Sequence, residues 1–146
     1  MRFVPIPTWR PEQEEYQKSG LYKSAPLWLP FLPRIAKRGN ESADELLDQV
    51  INGNVQIGII WDHDNKTARA LIGMQTRRAG HELVGEVHWV TGFGMKDWQH
   101  LLSQVERYLK DHRGCTIIKP ICRPGWKPLL KEHGYRQTHI VMEKAL

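Results

Sequence analysis

Glu86 and His88 stand two apart in the run Leu83-Val84-Gly85-Glu86-Val87-His88-Trp89-Val90, so on a strand they share one face. A carboxylate or an imidazole tuned toward neutrality is the chemistry of a general base. The same spacing also arises on any polar sheet face, where both groups simply bond to neighbours. Directly after this run the chain reads Thr91-Gly92-Phe93-Gly94, a glycine-bearing turn. Trp98, Leu101, Leu102, Val105, Tyr108, Leu109 and His112 then recur at spacings of three and four, the mark of one buried helical face. Cys115 to Cys122, with Ile117, Ile118 and Ile121, reads as the next strand, and Trp126, Leu129, Leu130 and His133 form a short stripe stopped by Gly134. Strand, helix and strand in so little chain make a parallel crossover, and the end of its first strand suits a phosphate-bearing ligand.

These residues need a scaffold, and the remaining sequence supplies one. The 146 residues suffice for one domain with its own core. Six tryptophans and balanced charge exclude disordered and fibrous classes, and no apolar run is long enough for a membrane span or a signal peptide. The net charge of +5 suits an anionic ligand, although a solvated basic surface explains it equally well. Aromatic and basic residues are not interleaved in a nucleic-acid-binding pattern, and the seven histidines show no paired metal-ligand spacing. Cys115 and Cys122, seven apart on one strand, face opposite ways and are expected to stay reduced.

Six of the nine prolines fall within Met1 to Pro33, together with Trp9, Tyr16, Tyr22, Trp28 and Phe31. Phe3-Val4-Pro5-Ile6 fits a short edge strand, Pro11 to Lys18 a short helix, and Leu21 to Pro33 an extended apolar stretch. This segment either packs back on the domain or forms an arm, residues 1–33, that grips a partner through Leu21, Tyr22, Leu27, Trp28 and Phe31. If it is an arm, removing it leaves a folded domain at 34–146. Ser42-Ala43-Asp44-Glu45 is a capping box that starts a helix ending at Asn52-Gly53. Val55, Ile57, Ile59 and Trp61 alternate as a strand, Ala68 to Arg77 is the next, and the turn Arg78-Ala79-Gly80-His81 leads into the Leu83 strand. The fold class is α/β with a mixed sheet: an antiparallel meander followed by the parallel crossover.

That order resembles the GNAT superfamily of acyl-CoA-dependent N-acyltransferases over roughly Ser42 to Leu146. The local matches are the long helix followed by Gly114-Cys115-Thr116-Ile117-Ile118, and the ending Leu129-Leu130-Lys131-Glu132-His133-Gly134-Tyr135 before a last strand closing in Met142-Glu143-Lys144. Arg123-Pro124-Gly125-Trp126 running into that ending is similar to short GNAT-like proteins encoded by tailed bacteriophages. The resemblance implies acetyl-CoA as cofactor, its pantetheine arm lying along the strand that carries Val87 and Trp89. Its pyrophosphate would sit on the backbone of Gly92, Phe93 and Gly94, with Lys96 or Arg123 reaching a phosphate. Glu86 or His88 would take a proton from an ammonium substrate.

Three positions depart from the family pattern. With Gly92 and Gly94 on its phosphate loop, Trp89 occupies the place of Gln or Arg; anchored on the helix instead, the loop has Phe93 first and Trp98 last. Leu130 stands where many members carry the tyrosine that protonates the leaving thiolate. Only one strand fits after Gly134, where the family has two. The resemblance therefore implies either a degenerate N-acetyltransferase of phage type or a non-catalytic adaptor within a phage particle. The latter would bind phage structural proteins through the arm, and the protein would reside in the host cytoplasm or with the virion.

Overall fold

The computed structural model describes residues 1–146. Five strands form one sheet in the order β1 (Arg2–Pro5), β2 (Gln56–Asp62), β3 (Thr67–Ala79), β4 (Glu82–Gly92) and β5 (Ile117–Pro120). The first four pair antiparallel and β5 joins β4 parallel. The meander and the crossover are thus both present, and Val87 and Pro120 are direct neighbours across the parallel ladder. The crossover runs through a short helix α4 (Met95–Trp98), one 3-10 turn and α5 (Leu102–Arg113), which ends at Gly114 with φ 71°.

Each face of the sheet carries its own apolar layer, because alternate strand residues point to opposite sides. Ala70, Ile72, Met74 and Val87 face Trp98, Leu101, Val105 and Leu109 of the crossover. Ile57, Ile59, Leu71 and Trp89 face helices from the first third of the chain: α1 (Gly20–Trp28), α2 (Leu32–Ala36) and α3 (Ala43–Ile51). In α3 both halves of the expected capping box are made: Ser42 Oγ accepts from the Glu45 N–H, and the Glu45 carboxylate accepts from the Ser42 N–H.

The N-terminal segment differs from expectation. Leu21 to Pro33 is helical, not extended. Ser19 Oγ accepts from the Tyr22 N–H and caps α1, whose buried residues Leu21, Ala25 and Trp28 make a stripe of helical spacing. Pro30 and Pro33 fall in the first turn of the following 3-10 turn and of α2, where the missing N–H costs no bond. Proline counted as a chain breaker therefore misleads here: these prolines restart helices. Pro11 to Lys18 is correspondingly mostly turn, with a single 3-10 turn at Tyr16–Lys18.

Burial also corrects the gripping-arm reading. Leu21, Trp28 and Phe31 lie in the core at 2%, 0% and 5% exposure, Leu27 packs against it half-buried, and only Tyr22 is exposed. Trp28 is held further by its indole N–H, which donates to Ser24 Oγ at 3.1 Å. The β5 strand is shorter than the Cys115–Cys122 run expected, with Cys115 buried and Cys122 exposed. The strand expected to close in Met142-Glu143-Lys144 is absent: residues 135–146 form no helix or strand.

Because Trp28 and its neighbours fill one face of the sheet, deletion of residues 1–33 should abolish the cooperative thermal transition. Trp28→Ala should destabilise the full chain by about 3–5 kcal/mol in chemical denaturation. A deletion variant that melts cooperatively near the intact protein would restore the separable arm.

Candidate functional site

The strand β4 outlasts its parallel partner. The β4–β5 ladder runs from Val84↔Ile117 to Val87↔Pro120, and its last bond is from the Ile121 N–H to the Val87 carbonyl at 2.9 Å. Pro120 has no N–H to give, and past it the two chains part. β4 continues to Gly92, paired only with β3. At the parting point the β3–β4 register slips between Gly73↔Trp89 and Met74↔Val87, leaving His88 as the extra residue of a β-bulge. Alternate peptide groups of the stretch after Val87 are therefore free on the side that β5 has vacated.

A cleft of about 410 Å³ opens at this place. Its floor is Val87 to Thr91, one wall is Ile118 and Pro120 to Arg123 with Trp126, and the other comes from α2 and the segment after it, including Arg34 and Arg38. Leu102 and Val105 of α5 close the bottom. Arg34, Arg38 and Arg123 have no carboxylate within 4.0 Å, and Glu41 is the only acidic residue of the lining. The cleft is apolar in its depth and cationic at its walls, a combination suited to a ligand with an uncharged arm and anionic groups.

His88 lines the cleft, and Glu86 does not: it faces a separate depression with Gln75, Thr76 and Arg77. The two still meet. His88 Nε2 is 3.6 Å from Glu86 Oε1, and the same carboxylate holds Arg77 at 3.4 Å. Nε2 is buried and has no hydrogen-bond partner, the Glu86 carboxylate lying just beyond bonding distance. A proton on Nε2 would leave Nδ1 as the basic nitrogen. Ordinary alternation puts His88 on the Glu86 face, and the bulge brings Trp89 to that same side.

Trp89 lies at the parting point with its side chain 7% exposed and its indole flat on Gly73, where an added Cβ would sit 2.5 Å from the ring. Only its backbone is available to a ligand at the strand edge. Gly92, Phe93, Gly94 and Lys96 are outside the cleft lining, in the turn beyond it. That turn is tied on both sides. The Phe93 N–H donates to the Arg69 carbonyl at 2.9 Å, the Asp97 N–H to the Gly94 carbonyl, and the Trp98 indole to the Phe93 carbonyl. Arg34 donates to Thr91 Oγ1 and the Gly92 carbonyl and stacks 4.1 Å over the Phe93 ring. The Arg69 guanidinium bridges Asp62 and Asp97. Gly94, at φ 63°, allows the turn into α4. Two backbone donors of this turn are thus already spent within the protein.

Three residues at the site were not singled out by sequence reasoning. Arg34 and Arg38, four apart, lie beyond the Leu21 to Pro33 stretch in a segment to which the sequence assigns no element, and the helix that carries Arg34 starts inside that stretch. Tyr135 does not match the position of the family's acid, yet it lines the cleft beside Leu130. Burial first, and then the Glu106 carboxylate, push its phenol pKa well up, so the hydroxyl stays protonated.

No family model and no curated protein sequence matches the chain. Solved structures do. The chain superimposes on a probable acetyltransferase with a TM-score of 0.68 at 10% identity, covering 100% of this chain and 97% of that one. The fold is that of the GNAT acetyltransferases. A ribosomal-protein-alanine N-acetyltransferase from Brucella melitensis biovar Abortus 2308 gives 0.63 at 9% identity, over 85% of this chain and 94% of that one. Glucosamine-6-phosphate N-acetyltransferase from Arabidopsis thaliana gives 0.60 at 12%, over 99% of both chains. In this GNAT fold the site lies where β4 leaves β5.

The anchor of the turn is titratable. Asn65, through its side chain and its backbone N–H, and then Arg69 hold the Asp62 carboxyl below the usual carboxylate range. A depressed folded-state pKa means stability present above about pH 4 and lost as pH falls toward the folded value. Asp62→Asn should therefore melt lower than the parent at pH 7, and the gap should narrow as pH falls below about 4. A gap independent of pH would show that the charge is irrelevant.

Proposed function

We propose that this protein is a diverged acetyl-CoA-dependent N-acetyltransferase, of the type encoded by tailed bacteriophages. The observation that carries the reading is the stretch of β4 after Val87, unpaired where β5 turns away and opening on an apolar cleft with cationic walls. Amides of a pantetheine arm match alternate free N–H and C=O groups of a strand edge, as an added strand would. Arg38 and Arg123, without acidic partners, suit the phosphates. The Arg123-Pro124-Gly125-Trp126 segment, which carries the likeness to phage-encoded proteins, supplies two of the wall residues.

Bound acetyl-CoA supplies the acetyl thioester that an amine attacks. The chain's part begins with His88, whose Nδ1 would take the proton of an ammonium acceptor while Glu86 stabilises the charge gained on the ring. Glu86 is thus a positioning residue, moved one step back from the direct role that its place on the strand suggested. Leu130 cannot donate a proton, and Tyr135, whose phenol burial and Glu106 hold firmly protonated, can hydrogen-bond the departing sulfur while the proton for the thiolate comes from solvent. The divergence lies in the phosphate turn. Phe93 and Asp97 use their N–H groups internally, so affinity rests on the strand edge and the arginines, and is lower than a free amide cradle would give.

The test combines binding and turnover. Acetyl-CoA at a hundred times its dissociation constant should stabilise the fold by about 2.7 kcal/mol, seen as a rise in melting temperature. His88→Ala should keep that rise and lose about 10²-fold or more of free-thiol release with a panel of primary amines. No change in melting at saturating acetyl-CoA would remove the assignment.

A further inference from the structure

The positive charge of the chain is concentrated at the mouth of the cleft. Residues 34–38 and 123–131 flank that mouth from its two sides, each contributing wall residues. They hold six of the 21 basic residues and none of the 16 acidic ones, so the whole excess of +5 sits there. Lys37, Arg38, Arg123, Lys127 and Lys131 are exposed, and none of them has a carboxylate within 4.0 Å. Glu41, the only acid of the lining, accepts from the Gln49 amide.

A small anion in the cleft cannot use all of this charge. Arg38 and Arg123 are on the lining, whereas Lys37, Lys127 and Lys131 are not. Cations beyond a ligand's reach still act on a larger body that carries the ligand, by complementing its charge over the contact area. The phosphate turn points the same way. The N–H groups of Phe93 and Asp97 are bonded to protein carbonyls and Lys96 stands outside the cleft, so a diphosphate gains little there. What the cleft does offer is the unpaired edge of β4 and an apolar depth, which fit a long, thin, mostly uncharged arm.

We infer that the acyl group also arrives on an acidic carrier protein, as the thioester of a phosphopantetheine arm, with the carrier seated on the basic mouth. This rests on the pantetheine reading of the cleft and changes only what holds the far end of the arm. Such an arm has a single phosphodiester where coenzyme A has a diphosphate, so it loses least from the occupied turn. Ile121, 47% exposed on the wall, gives the seat an apolar contact between the two basic segments. A nucleic acid would answer the charge, but it has no arm to fill the cleft. In the transfer the acceptor nitrogen bonds the acyl carbon and the carbon–sulfur bond breaks. The ammonium proton goes to His88, and the carrier leaves with a free thiol, its thiolate protonated by solvent.

Three donors separate the sources: an acidic acyl carrier protein loaded with acetyl-phosphopantetheine, free acetyl-phosphopantetheine, and acetyl-CoA. With the loaded carrier, kcat/KM should exceed that with acetyl-CoA by about tenfold or more at low salt, and the advantage should shrink as salt is raised. Free acetyl-phosphopantetheine should show no such advantage. The triple variant Lys37→Glu, Lys127→Glu and Lys131→Glu should lose the advantage while keeping both the acetyl-CoA rate and the melting rise with acetyl-CoA. Fluorescence anisotropy of the labelled carrier should show binding that the same variant loses, a readout that stands even if no amine on the panel is acylated. A carrier no better than acetyl-CoA, or an advantage that survives the charge reversal, overturns the inference and leaves the cleft assignment intact. So does a short oligonucleotide that binds more tightly than the carrier.

Discussion

The separation of β4 from β5 at Pro120 is the constraint on which the rest of the site depends. A parallel ladder continues as long as each strand can donate and accept, and Pro120 removes a donor where Val87 would need the next bond. One further bond from Ile121 closes the ladder, and the segment from Cys122 onward forms the opposite wall of the cleft. The bulge at His88 falls at the same level, so the strand that loses its neighbour also changes which side chains face which layer. Without both events, β4 would be a fully paired strand with no open peptide groups.

The turn beyond the strand is stabilised in a way that competes with its expected use. Arg69 connects the β2–β3 turn at Asp62 to Asp97 at the start of α4, and Arg34 adds a second clamp from α2. Phe93, placed between Arg34 and Phe31, fixes the outer side of the turn. These contacts make the turn rigid, and the Phe93 and Asp97 N–H groups, which an anion would otherwise use, are bonded to the Arg69 and Gly94 carbonyls. Stability and ligand affinity thus draw on the same few groups.

Much of the fold was legible because the signals were periodic. The α3 capping box, the alternation of Ala70, Ile72 and Met74, and the stripe from Trp98 to Leu109 each state their element directly. Leu21 to Pro33 reads as extended because Pro26, Pro30 and Pro33 mask a helical stripe, which left a docking arm open beside the packing that the structure shows. The bulge at His88 has no signature in the sequence, since one extra residue leaves composition unchanged. That is why Glu86 and His88 could be paired from the sequence while their division of labour could not. The tail has the residue types of a strand, yet residues 135–146 form no helix or strand.

The most direct measurement of the central claim is amide resolution of the β4 edge with and without acetyl-CoA. Backbone NMR on the full chain should show added protection and shifted resonances confined to His88–Thr91 and the facing Pro120–Arg123 segment, with Glu82–Val87 unchanged. Changes concentrated instead around Gln49, Gln75 and Arg77, or absent altogether at saturating ligand, would contradict the assignment of the parted strands as the binding site.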